Sequence, residues 1–321
     1  MKLVSIVTPV FNEETNIELL YDQVSSLFKE ALLDYDYEYI FIDNCSTDET
    51  VPLLRGIAKK DKKVKVILNA RNFGQLRSPY HALFQTQGEA TILIAADLQE
   101  PPDLIVKFVE EWANGYKVVV GIKTKSDENF LMYGLRSIYY NLIERFAESE
   151  QIKHFTGFGL YDKSFITCIK NLNDPYPYLR GLITELGFER KEIEYRQSAR
   201  KHGKTKNNFY SLYDVAMLGF VNHSKVPLRM ATFIGFLISL ISISVAIFYF
   251  IAKILFWDIF QAGTAPMVIG LFFFASVQLI FIGIIGEYIG AIYTQVKNRP
   301  LVIEKERINF LDTVDEKTDK S

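Results

Sequence analysis

Cysteine is scarce: two residues, Cys45 and Cys168, occur in 321 positions. That excludes a disulfide framework and points to a reducing compartment. No Cys-x-x-Cys pair and no Cys/His cluster offers a zinc site. Excess charge of one sign is also missing, with 36 basic residues against 38 acidic ones. The electrostatic case for a nucleic acid partner therefore falls away. No Gly-x-Gly-x-x-Gly follows a strand-like run, so a Rossmann dinucleotide site is not supported. No Gly-x-x-x-x-Gly-Lys-Ser/Thr occurs, so neither is a P-loop. The chain opens Met-Lys-Leu-Val-Ser-Ile-Val-Thr-Pro, with Asn12, Glu13 and Glu14 close behind. That opening is strand-like and is not a secretory signal, which places the N-terminal half in the cytoplasm.

Charge is absent altogether from two long runs. Met230 to Ala252 gives about 23 uncharged residues, and Ile259 to Gly286 about 28, each enough to cross a bilayer. In lipid each backbone must close its own hydrogen bonds, so both are expected to be helices. A buried core helix is the rival reading, but it rarely needs such length. Lys201, Lys204, Lys206, Lys225 and Arg229 precede the first run, and Lys297, Arg299, Lys305 and Arg307 follow the second. The connection holds only Lys253 and Asp258. The bias puts both termini in the cytoplasm and a short hairpin outside, a multi-pass arrangement in the cytoplasmic membrane. Ahead of the runs, Phe209, Leu212, Tyr213, Ala216, Met217, Phe220 and Val221 recur at helical spacing. This stripe suits either a helix lying in the membrane interface or one packed on the soluble domain; its place beside a span favours the interface. Small residues in and beyond the second run (Gly270, Gly283, Gly286, Gly290) permit helix contacts and a homo-oligomer.

In the first half, strand-like runs alternate with helical ones. Strands are expected at Val4–Pro9, Tyr37–Ile42, Val64–Leu68, Thr91–Ala95 and Lys117–Gly121, and helices at Glu14–Lys29, Asp48–Lys60 and Leu76–Gln87. Such alternation predicts an α/β fold, a mostly parallel sheet flanked by helices, with ligands at the carboxyl ends of the strands. Polar residues cluster at those ends: Thr8 to Glu13, Asp43 to Asp48, and Asp97 to Gln99. Ser46, Thr47 and Asp48 could serve merely as a helix cap. That does not account for Asp43, which ends an apolar strand.

Four segments, SIVTPVFNEETNI (5–17), FIDNCSTDET (41–50), ARNFGQ (70–75) and AADLQEPPD (95–103), resemble the successive motifs of family-2 glycosyltransferases with a GT-A fold. RQSARKHGKTK (196–206) is similar to the Arg-rich segment of polyprenyl-phosphate glycosyltransferases, among them dolichol-phosphate mannose synthases and bactoprenol glucosyltransferases. GIIGEYIGAIYTQVKNRPLVI (283–303) resembles the end of the bactoprenol group, which carries two C-terminal spans. The resemblance covers nearly the whole chain. It implies a cytoplasmic GT-A catalytic domain over 1–205, an amphipathic juxtamembrane helix over 206–228, two transmembrane helices over 229–290 and a cytoplasmic tail over 291–321.

By the same resemblance, Pro9, Asn12, Glu13, Asp43 and Asp97 bind the nucleotide of a nucleotide-sugar donor. Asp97 and Gln99 hold Mg²⁺ or Mn²⁺, a hard cation suited to oxygen ligands and to a diphosphate leaving group. Lys123, Arg136, Arg196, Arg200 and Lys206 receive the phosphate of a polyprenyl acceptor, and Arg is suited to forked phosphate contacts. Asp97, Arg136 and Arg200 are the expected catalytic residues. The implied reaction is inverting transfer of a sugar, from a UDP-sugar by preference, to undecaprenyl or another polyprenyl phosphate. The chain departs from the family's usual pattern at Ala95 and Gly157, where carboxylates are common, and at Asn44 and Cys45. Asp162 lies near enough in sequence to Gly157 to take over part of its role. Two rival functions remain. A processive polysaccharide synthase would carry Gln-x-x-Arg-Trp, yet neither Trp112 nor Trp257 has that context. A non-catalytic membrane scaffold would agree with the two missing carboxylates.

Overall fold

A computed structural model describes residues 1–125, 152, 155–174, 177–197, 226–255, 264–297 and 299–310. The described residues fall into two compact units, one holding those up to 197 together with those from 297 onward, the other the two long apolar helices.

The first unit is an eight-stranded sheet. Its strands are β1 (Lys2–Val10), β2 (Tyr35–Asp43), β3 (Val64–Asn69), β4 (Ala90–Leu93), β5 (Val118–Lys125), β6 (Phe155–Asp162), β7 (Arg190–Arg196) and β8 (Glu304–Ile308). They lie in the order β7-β5-β6-β4-β1-β2-β3-β8. β1 pairs in parallel with both β2 and β4, β2 with β3, and β5 with β7. β6 runs antiparallel between β4 and β5, and β8 runs antiparallel along β3. Since β6 opposes both its neighbours, β5 and β7 point the same way as β1 to β4. Six carboxyl ends therefore meet at one edge of the sheet, and β6 begins there.

Among the described residues, six helices cover the two faces: α1 (Ile17–Glu30), α2 (Thr50–Lys60), α3 (Gly74–Leu83), α4 (Leu104–Ala113), α5 (Lys163–Asn171) and α6 (Leu179–Glu185). Alternation along the strands decides which face each side chain joins. Tyr39 and Phe41 of β2 enter a core shared with Leu20 and Val24 of α1, Leu54 of α2 and Phe108 of α4. Ile40 and Ile42 enter the opposite core with Tyr80 and Leu83 of α3 and Phe165 of α5. All four β2 residues are fully buried, as a strand covered on both faces requires.

Several boundaries differ from the sequence expectation. The helix expected at Leu76–Gln87 occupies Gly74–Leu83. Thr86 Oγ1 donates to the Leu83 carbonyl at 2.8 Å and the Gln87 N–H is taken by the Glu38 carboxylate, which leads the chain out towards β4. The strand expected at Lys117–Gly121 runs from Val118 to Lys125, since β7 continues to pair with it. Asp162 was expected near Gly157, but it lies at the far end of the sheet, opposite Ala90 at the start of β4. There it caps α5 through the Ser164 N–H at 2.9 Å and accepts from Trp112 Nε1 at 2.8 Å. Its side chain serves structure, not the strand exits.

β8 had no clear signature in the sequence. It follows the apolar helices and returns to the sheet edge, where Arg55 pairs with Glu306, and His81 and Arg307 pair with Glu304.

The second unit contains α7 (Val226–Leu255, 30 residues) and α8 (Thr264–Lys297, 34 residues). At 1.5 Å per residue, helices of that length reach about 45 and 51 Å, beyond the roughly 30 Å of a bilayer core. Among the described residues, one stretch, Phe273–Lys297, is both long and apolar enough to cross a membrane. Of the two expected spans, one meets that measure. It runs past Gly286, the expected limit, because Glu287 does not interrupt the helix. None of it is buried within the chain, unlike the core helix of a soluble protein. The expected interfacial stripe, Phe209 to Val221, lies outside the described residues.

Candidate active site

β1 is the hinge of the topology: β2 and β3 extend to one side of it and β4 to the other. A crevice at the carboxyl ends is expected at such a switch point. Pairing of β1 with β4 stops at Val7 and Leu93, with one further bond from the Ile94 N–H to the Val7 carbonyl. Pro9 lies just past that point. Having no N–H to offer, it suits the place where β1 loses its partner.

The exits of β1, β2 and β4 share an unusual backbone. Asn12 (φ 53), Cys45 (φ 66) and Leu98 (φ 56) all adopt the left-handed region. Each costs of order 1 kcal/mol or more for a residue with a side chain. Three such residues on three converging turns are typical of a built site. Hydrogen bonds hold the turns. The Asn12 N–H donates to Ser46 Oγ at 2.8 Å, and the Thr47 N–H donates to Asn12 Oδ1 at 2.8 Å. The Glu13 N–H donates to Thr50 Oγ1 at 2.9 Å. Glu13 itself accepts from Asn16 Nδ2 at 2.7 Å. The β1 exit is thus zipped to the start of α2, and Ser46 and Thr50 are more than a simple cap.

Asp43 ends β2 and is 2% exposed. Its Oδ2 accepts from the Cys45 N–H at 3.0 Å and from the Ser46 N–H at 3.1 Å. Burial pushes its carboxyl up, and the bonds from Ser46 and Cys45 partly oppose that. Next to it, Asn44 Oδ1 accepts from the Phe73 N–H at 2.9 Å while its Nδ2 donates to the Gly74 carbonyl at 3.1 Å. Only an amide can do both. The departure from the usual pattern at Asn44 therefore has a local reason: its amide anchors the 70–75 turn. Asn69 Nδ2 extends the network to Ser78 Oγ at 2.9 Å.

At the β4 exit, Asp97 Oδ1 accepts from the Gln99 N–H at 3.2 Å, which curls the turn and brings the two expected metal ligands together. Glu100 closes this turn. It is 5% exposed, and its two carboxylate oxygens accept from the Ala95 N–H at 2.8 Å and from Thr156 Oγ1 at 2.7 Å. Burial raises its pKa to about 7, against the pull of those two bonds and with a small push from Asp97. Sequence reasoning passed over Glu100. Its signal was a carboxylate held between Gln99 and Pro101-Pro102, inside a segment already singled out.

Lys123 and Arg196 stand near the carboxyl ends of the adjacent strands β5 and β7, where Lys123 is in register with Tyr195. They share the sheet edge with Pro9, Asn12, Glu13, Asp43, Asp97 and Gln99. Arg136, Arg200 and Lys206 lie outside the described residues. Gly157, at the start of β6, has φ 109, a backbone conformation that residues other than glycine rarely adopt.

Among the described residues, no group of three or more His, Cys, Asp or Glu side chains gathers to hold a metal ion. Asp97 and Gln99 offer hard oxygens but few of them. The set fits a Mg²⁺ or Mn²⁺ ion shared with a diphosphate, which would complete the shell, and does not fit an ion held by protein alone.

The family model described as glycosyl transferase family 2 matches residues 5–168. CsbB of Bacillus subtilis (strain 168), named as a glycosyltransferase, is 34% identical over 304 residues, covering 95% of this chain and 92% of its own. Bactoprenol glucosyl transferase of Shigella phage SfX is 31% identical over 305 residues, covering 95% of this chain and 99% of its own. Among solved structures, glucosyl-3-phosphoglycerate synthase from Mycobacterium tuberculosis matches with a TM-score of 0.45 at 18% identity, over 68% of this chain and 76% of that one. That likeness is too remote to bear on function.

Proposed function

Because the chain belongs to glycosyl transferase family 2, and so transfers sugar from a nucleotide-sugar donor, we propose that its acceptor is a polyprenyl phosphate at the cytoplasmic face of a membrane. The observation that carries this reading is a similarity running end to end, through the apolar helices, to a protein named bactoprenol glucosyl transferase. The donor is a UDP-sugar by preference, and the product is a polyprenyl-phosphate sugar for cell-envelope glycan. The domain limits and the two-span topology given above belong to the same proposal, as do attachment to the bilayer and a homo-oligomer.

The nucleoside occupies the crevice beside Pro9, with Asn12, Glu13 and Asp43 around it. A buried carboxylate such as Asp43 accepts hydrogen bonds from base N–H or ribose hydroxyl groups. Asp97 and Gln99 would hold Mg²⁺ or Mn²⁺ on the diphosphate; such an ion neutralises charge that develops on the leaving group. The acceptor phosphate has a second pKa of about 6 and is mostly dianionic at neutral pH. It attacks the anomeric carbon without first losing a proton, so no general base is needed. The absent carboxylate at Gly157 is then no obstacle. Cations must instead bring two anionic groups together, and Lys123 and Arg196, with Arg136, Arg200 and Lys206, supply them. Attack opposite the leaving group inverts the anomeric centre.

The test is a panel of nucleotide-sugars incubated with undecaprenyl phosphate and the full chain in membranes, followed by lipid extraction and mass spectrometry. A single polyprenyl-phosphate sugar is expected. A polymer from one donor would revive the processive synthase instead, and a Mn²⁺ titration that shows no metal-dependent binding of nucleotide-sugar would favour the scaffold.

A further inference from the structure

β4 loses its last pairing at Ile94, and the chain then makes a turn through Ala95, Ala96, Asp97, Leu98 and Gln99. Beyond Glu100, Pro101 and Pro102 have no N–H with which to stabilise that turn. The turn contains a left-handed Leu98, so it does not hold itself together by regular structure. Its two ends are joined by one side chain. Glu100 reaches back to the Ala95 N–H at 2.8 Å with one oxygen. With the other it takes the hydroxyl of Thr156, at the start of β6, at 2.7 Å. Thr156 Oγ1 in turn lies 3.4 Å from the Tyr195 hydroxyl of β7. Glu100 therefore closes the turn that presents Asp97 and Gln99, and ties it to the neighbouring strand.

We propose that Glu100, through Thr156, is the positioning residue that holds Asp97 and Gln99 in the arrangement that receives the metal-bound diphosphate. The inference rests on the donor-site reading above. Glu100 touches no substrate; it acts through the turn it closes. Burial suits this role, since a water-exposed carboxylate would exchange these bonds for solvent. A merely space-filling residue would not need both oxygens engaged. A glutamine at this position keeps the geometry: its oxygen accepts from the Ala95 N–H and its amide donates to Thr156 Oγ1, which can also accept. Alanine or leucine keeps neither bond.

The test measures UDP binding by calorimetry on the full chain in detergent, with Mn²⁺ and again with EDTA. Thr156→Val removes the bond to Glu100 and the longer contact with the Tyr195 hydroxyl, at an exposed position, and should fold. It should weaken Mn²⁺-dependent binding by about tenfold, the effect of one hydrogen bond to a charged group. Glu100→Ala should weaken it further. Glu100→Gln should restore it to within about threefold of the parent. Binding in EDTA should be unchanged in all three, because the nucleoside contacts lie on other strands. If Glu100→Ala fails to fold, Thr156→Val and Glu100→Gln still decide the matter. Equal losses with and without metal would mean a structural role only and overturn the inference. So would a Glu100→Gln variant as impaired as Glu100→Ala. Asp97→Asn is the control: if it retains full Mn²⁺-dependent binding, the metal reading itself fails. If it loses that binding while Thr156→Val and Glu100→Gln bind as the parent does and Glu100→Ala does too, only the present inference fails.

Discussion

Asparagine at position 43 separates the support of a loop from contact with a ligand. Asp43 Oδ2 takes the Cys45 and Ser46 N–H groups at 3.0 and 3.1 Å, whereas Oδ1 lies at a looser 3.3 Å from the Ser46 nitrogen. An amide with its oxygen in the Oδ2 position keeps the two shorter bonds, so the left-handed Cys45 turn should survive. The Oδ1 position then becomes an NH₂ group, which cannot accept a base N–H. Loss of a hydrogen bond to a charged acceptor costs about 1.5–3 kcal/mol. At 1.4 kcal/mol per tenfold, UDP should bind about 10- to 150-fold more weakly. Calorimetry with UDP and Mn²⁺ reads the affinity, and thermal unfolding should shift by no more than a few degrees. An affinity within twofold of the parent would refute Asp43 as a nucleotide contact. Collapse of the fold would refute the division of labour between its two oxygens.

Asp97→Asn should abolish sugar transfer in membranes, read by lipid mass spectrometry; near-normal turnover would remove Asp97 from the metal site. Gly157→Asp, which restores the carboxylate common in the family, should destabilise the chain by about 1–3 kcal/mol because the site needs φ 109. Thermal unfolding tests it, and an unchanged midpoint would count against strain at this residue. β8 should loosen in acid. Burial pulls the Glu304 pKa upward, but hydrogen bonds from His81 and Arg307 outweigh it and hold the value at about 2, below the ordinary 4.5. A depressed carboxylate stabilises above its unfolded pKa, so that support is complete above about pH 5 and is lost as pH falls towards 2. Allowing for solvent near Arg307, the loss is about 1–2 kcal/mol. Hydrogen exchange of the 304–308 amides should report it, and Glu304→Gln should already be loose at pH 5. Pressed against β3 equally at both pH values, β8 would owe nothing to Glu304.

Alternation of apolar strands with amphipathic helices was enough to place β1 to β4 and α1 to α3 to within a few residues, since period and composition are local properties. The clustering of Asp43 and Asp97 at strand exits followed from the same pattern, because the ends of parallel strands in one sheet face one way. Apolar length alone predicted helices near Met230 and Ile259. The sequence could not place Asp162, whose nearness to Gly157 along β6 hid a separation by most of a strand's length. Nor could it announce β8, a short, charged segment whose pairing with β3 depends on residues more than two hundred positions away. The role of Glu100 was equally hidden, because its bond to Thr156 exists only once β6 inserts beside β4. Local chemistry chose the elements and the polar residues at their ends; long-range pairing decided which of those residues meet.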